Sequence, residues 1–285
     1  MTSVLVTGAA GQLGRALQET CPNGISLVAL DSADLDIADA AAVERAVARH
    51  RPDAVINAAA YTAVDRAEQE PERAEAVNAR GVGHLAAACS RTGARLLHVS
   101  TDFVFDGRQG RPYRPDDAPA PLSMYGRSKL CGERAAVAMP PEQHLIMRTA
   151  WVYAPGGQNF VSTMLRLMAE RERLSVVCDQ VGTPTSARGL AQALWRALEL
   201  GLHGIHHWTD AGVASWYDFA VAIHALGRAQ GLLANEVRID PIRSEDYPTA
   251  ARRPGFAVLE KAQTWTVLDI PPVHWREALE QALTQ

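Results

Sequence analysis

Val4-Leu5-Val6-Thr7-Gly8-Ala9-Ala10-Gly11-Gln12-Leu13-Gly14 is the stretch that decides the fold of this 285-residue chain. An apolar run passes through a glycine-punctuated turn into a helical pattern from Arg15 to Glu19. The glycines have separate tasks. Gly8 permits the tight turn, Gly11 lets a pyrophosphate approach the backbone, and Gly14 lets the helix lie close on the strand while its unpaired N–H groups face the phosphates. Such a triplet is weak evidence alone, but here it stands between strand and helix, and a second strand, Ser26 to Leu30, follows and ends at Asp31. An acid at that place can accept hydrogen bonds from an adenosine ribose, or it can simply close the turn before Ser32.

Further strand-like runs lie at Ala54 to Asn57, Arg95 to Ser100, His144 to Thr149 and Leu174 to Val177. Amphipathic segments at Ala40 to His50, Glu72 to Arg91 and Tyr125 to Met139 separate them. This alternation predicts an α/β fold, a Rossmann-type doubly wound parallel sheet whose ligands sit beyond the carboxyl ends of the strands. After Thr149 the rhythm breaks at Pro155-Gly156-Gly157, at Pro184 and in the tail from Pro241 to Pro254. The expected division is a nucleotide-binding domain over 1–150 and a smaller, mainly substrate-binding α/β lobe over 151–285, some of whose segments return to the first.

Tyr125-Gly126-Arg127-Ser128-Lys129 places a phenol and an ammonium one helical turn apart on the same face. A tyrosine titrates near pH ~10, and a fixed cation beside it stabilises the phenolate and draws the pKa toward neutrality. The same spacing also describes a surface tyrosine lying on a lysine stem, so the motif needs its neighbours to agree.

Composition narrows the classes. The net charge is −4 and the basic residues are dispersed, which argues against a nucleic-acid partner. Cys21, Cys89, Cys131 and Cys178 are far apart without a CxxC pair, as expected of reduced thiols in a cytoplasmic protein. No leader or membrane-spanning run is evident. His203, His206 and His207 cluster without a completing Cys, Asp or Glu pattern, and a strand edge or turn is the expected setting rather than a metal.

At this point the residues match a known family. Together with the glycine turn and Tyr125-to-Lys129, the chain carries Leu35-Asp36-Ile37, Asn57-Ala58-Ala59-Ala60-Tyr61-Thr62-Ala63-Val64-Asp65, Ser100-Thr101-Asp102-Phe103-Val104-Phe105-Asp106-Gly107, Arg148-Thr149-Ala150-Trp151-Val152-Tyr153 and Asp179-Gln180-Val181-Gly182-Thr183-Pro184-Thr185. It resembles the extended short-chain dehydrogenase/reductases and, within them, is similar to the dTDP-4-dehydrorhamnose reductase family over nearly its whole length. The resemblance implies reduction by NADPH or NADH of the C4 ketone of dTDP-4-dehydro-β-L-rhamnose, the last step of dTDP-L-rhamnose synthesis for cell-surface polysaccharide such as O-antigen. It implies Tyr125 as proton donor, Lys129 holding the nicotinamide ribose and tuning the phenol, and Thr101 hydrogen-bonding the ketone oxygen. Cofactor contacts implied are Gly8, Gly11, Gln12, Leu13 and Gly14 at the pyrophosphate turn, Asp31 at the adenosine ribose, Asp36 and Ile37 around the adenine, and Ala59, Ala60 and Tyr61 along the nicotinamide side. Asp36 can equally cap the helix that begins near Ala40. For substrate, the resemblance implies Asp102 on a sugar hydroxyl and Trp151 as a stacking face with an N–H donor. Arg253 is the best-placed tail cation for the substrate pyrophosphate, the other reading being a solvated turn.

The chain departs from its relatives in ways that matter. Nucleotide-sugar dehydratases carry Thr-Asp-Glu where this chain has Thr101-Asp102-Phe103, and without the glutamate there is no carboxylate to take the C5 proton. Dehydration or epimerisation of another nucleotide sugar is therefore disfavoured. A non-catalytic regulatory subunit of reductase shape is the other alternative, and retention of Thr101, Tyr125 and Lys129 argues against it. Some family members bind Mg²⁺ through glutamates, one of them in the first helix where this chain has Ala16, which counts against a metal and against a metal-bridged dimer. A monomer or homodimer is expected. Asp31 favours NADH while Arg15 favours NADPH, so tolerance of both is expected.

Overall fold

The structure, a computed structural model, describes residues 1–284. Five strands follow the predicted rhythm: β1 (Thr2–Thr7), β2 (Ile25–Leu30), β3 (Ala54–Asn57), β4 (Arg95–Thr101) and β5 (His144–Thr149). All pair in parallel, and Gly204–His207 adds a sixth strand beside β5, so the order runs from that edge through β5, β4, β3 and β1 to β2. Successive strand side chains point to opposite faces, and a continuous apolar run therefore needs cover on both sides. Val4, Val6, Ile56, Leu97 and Leu145 pack on one face against Leu17 and the helix Ala187–Glu199. Leu5, Val55, Leu96 and Ile146 pack on the other against Val43, Val47 and Leu85. The strand order reverses between β1 and β3, which opens a crevice above their carboxyl ends.

Two sequence expectations change here. Arg173–Val177 is a strand, but it pairs with Arg238–Ile242 in the second lobe rather than joining the central sheet. Its residues alternate between exposed and buried up to Val176, the pattern of a strand covered on one face only. The sixth place is taken instead by the histidine-bearing run, so His206 and His207 lie on a sheet edge, as the sequence suggested. The helix Ala40–His50 has the predicted bounds, but its cap is Asp39, whose side chain accepts from the Ala41 and Ala42 N–H groups; Asp36 accepts from Ala38.

The helix Met124–Val137 carries the tyrosine–lysine pair and is seated by close backbone contact. Gly132 leaves room for the Asn78 carbonyl, which a Cβ there would meet at 2.1 Å. Asn78 sits in a π-helical turn, Ala76–Gly81, and its amide bonds both the Tyr61 backbone and the Ser128 hydroxyl. In the second lobe, Tyr153, Met164, Leu174, Phe219, Ile223 and Trp275 form a separate apolar cluster. Among the described residues, no helix is long and apolar enough to cross a membrane.

Candidate active site

A cleft of about 940 Å³ runs between the carboxyl ends of the sheet and the second lobe. Its floor begins at the glycine turn. Gly8 has φ +72°, a left-handed conformation, and an added Cβ would strike the Ala59 N at 2.6 Å. Gly14 admits no side chain either, because its Cβ would lie 2.2 Å from the Gly8 carbonyl. The helix Gln12–Glu19 starts at Gly11 without a side-chain cap, leaving its first N–H groups for an anion. Gly11, Gln12, Leu13 and Arg15 line the cleft. The Gln12 amide also ties the two lobes, its Oε1 accepting from the Ala154 N–H (2.9 Å) and from Asn159 Nδ2 (2.7 Å).

Thr101, Tyr125 and Lys129 all line the cleft. β4 ends at Thr101, and the hydroxyl bonds the Asp102 Oδ1 at 2.9 Å. Lys129 is only 2 % exposed, and its Nζ donates to the Val99 carbonyl at 2.7 Å and lies 3.4 Å from His98 Nε2. The expected tuning of the phenol is not what this geometry produces. Burial pushes Tyr125 up to about 12; the Thr101 hydroxyl works the other way, and the Asp102 carboxylate adds to the rise. Burial also brings Lys129 down to about 8, against the pull of Glu133. The hydrogen bonds of the lysine go to Val99 and His98. Asp102 is itself pushed up to about 7 by burial, and its Oδ2 has no hydrogen-bond partner among the described residues. The Thr149 hydroxyl is likewise buried and unpartnered on the cleft wall. Orphaned polar atoms beside a glycine cradle suit a polar, phosphate-bearing ligand.

The comparisons with known proteins agree with this geometry. The family model described as "RmlD substrate binding domain" matches residues 1–285. A dTDP-4-dehydrorhamnose reductase from Aggregatibacter actinomycetemcomitans is 42% identical over 288 aligned positions, covering 98% of each chain. Among solved structures, a dTDP-4-dehydrorhamnose reductase from Clostridium acetobutylicum superposes with a TM-score of 0.93 at 39% identity, covering 99% of both chains. One from Bacillus anthracis, in complex with NADP, gives 0.93 at 35% identity, covering 100% of this chain and 99% of that one. This chain belongs to the RmlD family.

Several residues that the family resemblance singled out stand away from the cleft wall. Asp31 makes a turn, its Oδ1 accepting from Ala33 (2.8 Å) and Asp34 (3.2 Å). Asp36 is exposed on the loop after it, and Ile37 is buried in the core against Gly81. Ala59 is covered by Gly8, and the Tyr61 hydroxyl is turned to Glu70 at 2.9 Å; of that run, Ala58, Ala60, Thr62 and Val64 line the cleft. Trp151 does line it, but not with an open face. One side of the indole is stacked on Trp216, ring centroids 3.5 Å apart and 8° from parallel, and the other is covered by Gly182. Only the indole edge is left for a ligand. Arg253 also lines the cleft, yet its guanidinium is held by Asp65 (2.6 and 3.1 Å) and by Thr249, and Asp65 is held below the usual carboxylate range by that arginine.

Other cleft and supporting residues had no signal of their own in the sequence. Trp216 and Arg188, which belong to none of the motifs, both line the cleft. Glu133 and Arg148 form a buried bidentate pair (2.9 and 2.7 Å), with the Ser100 hydroxyl at 2.5 Å from the same carboxylate. For metal, no group of three or more His, Cys, Asp or Glu side chains is placed to hold an ion among the described residues, and Ala16 lines the cleft with no ligand to offer.

Proposed function

We propose that this chain reduces the C4 ketone of dTDP-4-dehydro-β-L-rhamnose to dTDP-β-L-rhamnose with NADPH or NADH. The observation that carries this reading is the convergence of Thr101, Tyr125 and Lys129 on one floor, beside an uncapped glycine-turn helix, in a chain of the RmlD family. Residues 1–150 then serve as the nucleotide-binding part. The segment 151–285 supplies most substrate contacts and returns Ala187–Glu199 and Gly204–His207 to the sheet.

The cofactor, when bound, supplies the hydride. The chain supplies the proton and the geometry. Tyr125, pushed up to about 12, keeps its proton through the neutral range and gives it to the ketone oxygen as that oxygen gains charge. The Thr101 hydroxyl hydrogen-bonds the same oxygen, and Lys129 holds the nicotinamide ribose. Asp102 and the Trp151 edge orient the sugar. Arg15 is the cleft cation nearest the glycine turn and supports acceptance of NADPH, while no basic cluster at Asp31 stands against NADH. The deciding experiment follows NAD(P)H absorbance with dTDP-4-dehydro-L-rhamnose and with its UDP counterpart. Oxidation with the dTDP sugar is expected, and oxidation with neither would overturn the reading.

A further inference from the structure

Thr7, Asn57, His98 and Lys129 form a line of buried polar side chains under the carboxyl ends of β1, β3 and β4, and the chemistry above calls on none but the last. The direction of its hydrogen bonds can be read from one end. The Ala59 N–H is an obligate donor and reaches Asn57 Oδ1 at 3.1 Å; the Thr7 hydroxyl reaches the same oxygen at 2.6 Å. With its oxygen engaged, Asn57 turns its amide nitrogen to His98 Nδ1 at 3.0 Å. An NH₂ group only donates, so Nδ1 is the accepting, unprotonated nitrogen of a neutral ring. The ring proton is then on Nε2, and Nε2 faces Lys129 Nζ at 3.4 Å.

An Nε2–H and an ammonium are both donors and oppose each other. A neutral amine fits the same place, taking the Nε2–H on its lone pair and giving one of its own hydrogens to the Val99 carbonyl. Other titratable groups near Lys129 are Tyr125 and Glu133 on its own helix and Asp102 beyond β4. Glu133 favours the charged lysine, but its carboxylate is already taken up by Arg148 of β5 and Ser100, and Asp102 acts on Tyr125.

We propose that His98 is a positioning residue that aims an Nε2–H at Lys129 and so makes this amine give up its proton more readily than a lysine surrounded by acceptors. The proposal rests on the reading of Lys129 as part of the reaction centre. The chain contains its own standard, because Lys129 and Lys261 are its only lysines. Lys261 is similarly buried, at 7 %, and burial brings it likewise down to about 8, but its Nζ faces the Thr183 hydroxyl at 3.2 Å, the Gly212 carbonyl at 3.4 Å and the charge of Asp210.

The test uses the whole ligand-free protein labelled with ¹³C-lysine and ¹⁵N-histidine. Two lysine side-chain signals are expected, assigned with Lys261→Arg, with Lys129 titrating about one pH unit below Lys261. The His98 ¹⁵N pattern should be that of the neutral Nε2–H tautomer. His98→Gln offers the ammonium a carboxamide oxygen. Asn57→Asp forces the ring proton to Nδ1 and leaves the Nε2 lone pair facing the lysine. Both should raise the Lys129 titration by about one pH unit or more and carry the alkaline limb of kcat/KM for the cofactor up with it. Coincident lysine titrations, an Nδ1–H tautomer in the wild type, or a Lys129 signal and alkaline limb unmoved in the variants would each overturn the proposal; a merely structural His98 lowers kcat/KM at every pH and leaves the limb in place. If the wild type oxidises no NAD(P)H, the reductase reading falls while the spectra still decide this one.

Discussion

Replacing Gly182 by alanine puts one methyl group into a tight place in the second lobe. An ideal Cβ there lies 2.8 Å from Trp151 Cε2 and 3.0 Å from Cζ2 and Nε1. Carbon atoms rest at about 3.5–4.0 Å, so the indole has to retreat by ~0.5–1 Å. It has nowhere to go. Its far face is closed on Trp216 at 3.5 Å, and Trp216 leans in turn on Phe160 at 4.7 Å. Gly182 is not among the left-handed glycines, which leaves steric overpacking as the whole effect, at about 1–3 kcal/mol. For a chain of this size each kcal/mol lowers Tm by about 2–4 °C. The displaced indole edge should also raise KM for the sugar nucleotide by about tenfold, one contact's worth, with KM for the cofactor unchanged. Calorimetry and steady-state kinetics read both, with Gly110→Ala as control because nothing lies within 4 Å of its Cβ. A Gly182→Ala protein that melts and turns over like the wild type would refute the idea that the indole is clamped between Gly182 and Trp216.

Tyr125→Phe should lower kcat by roughly 10²–10⁴ with cofactor affinity nearly unchanged by fluorescence titration, because only the proton donor is lost. Glu133→Gln strands the buried Arg148 charge and should cost about 3–5 kcal/mol in denaturant unfolding; a loss under about 1 kcal/mol would mean the pair is solvated. Asp102 has its folded pKa raised to about 7, so its stabilising contribution is complete below its unfolded value and is lost as pH rises through about 7. Asp102→Asn should accordingly melt higher than the wild type on the alkaline side of that window and lose the advantage in acid, whereas parallel melting curves across pH would contradict it. Arg253→Ala should lower Tm by releasing Asp65 and the Thr249–Ala251 turn, with a smaller rise in sugar-nucleotide KM than Arg188→Ala, since Arg188 lines the cleft and has no ion-pair partner among the described residues; the reverse ranking in KM would return the pyrophosphate to Arg253.

The parallel sheet, the glycine turn and the placing of Tyr125 and Lys129 on one helix were legible in the sequence because each depends on local spacing. Strand and helix periods, and a backbone conformation that only glycine adopts easily at Gly8, are written into neighbouring residues. Whether Leu174 to Val177 joins the sheet was not legible, since pairing depends on a partner strand at Arg238–Ile242. The same holds for the state of the site. Asp65 and Arg253 are 188 residues apart, and His98 meets Asn57 across 41. Trp151 reads as an open aromatic face until Trp216 and Gly182 cover it. Protonation and exposure are set by what surrounds a group in space, by the desolvation that raises Tyr125 and Asp102 and by the donors and acceptors that long-range packing brings to Lys129. Residue type and spacing named the reactive groups; the charge each one carries was decided only when the chain closed around it.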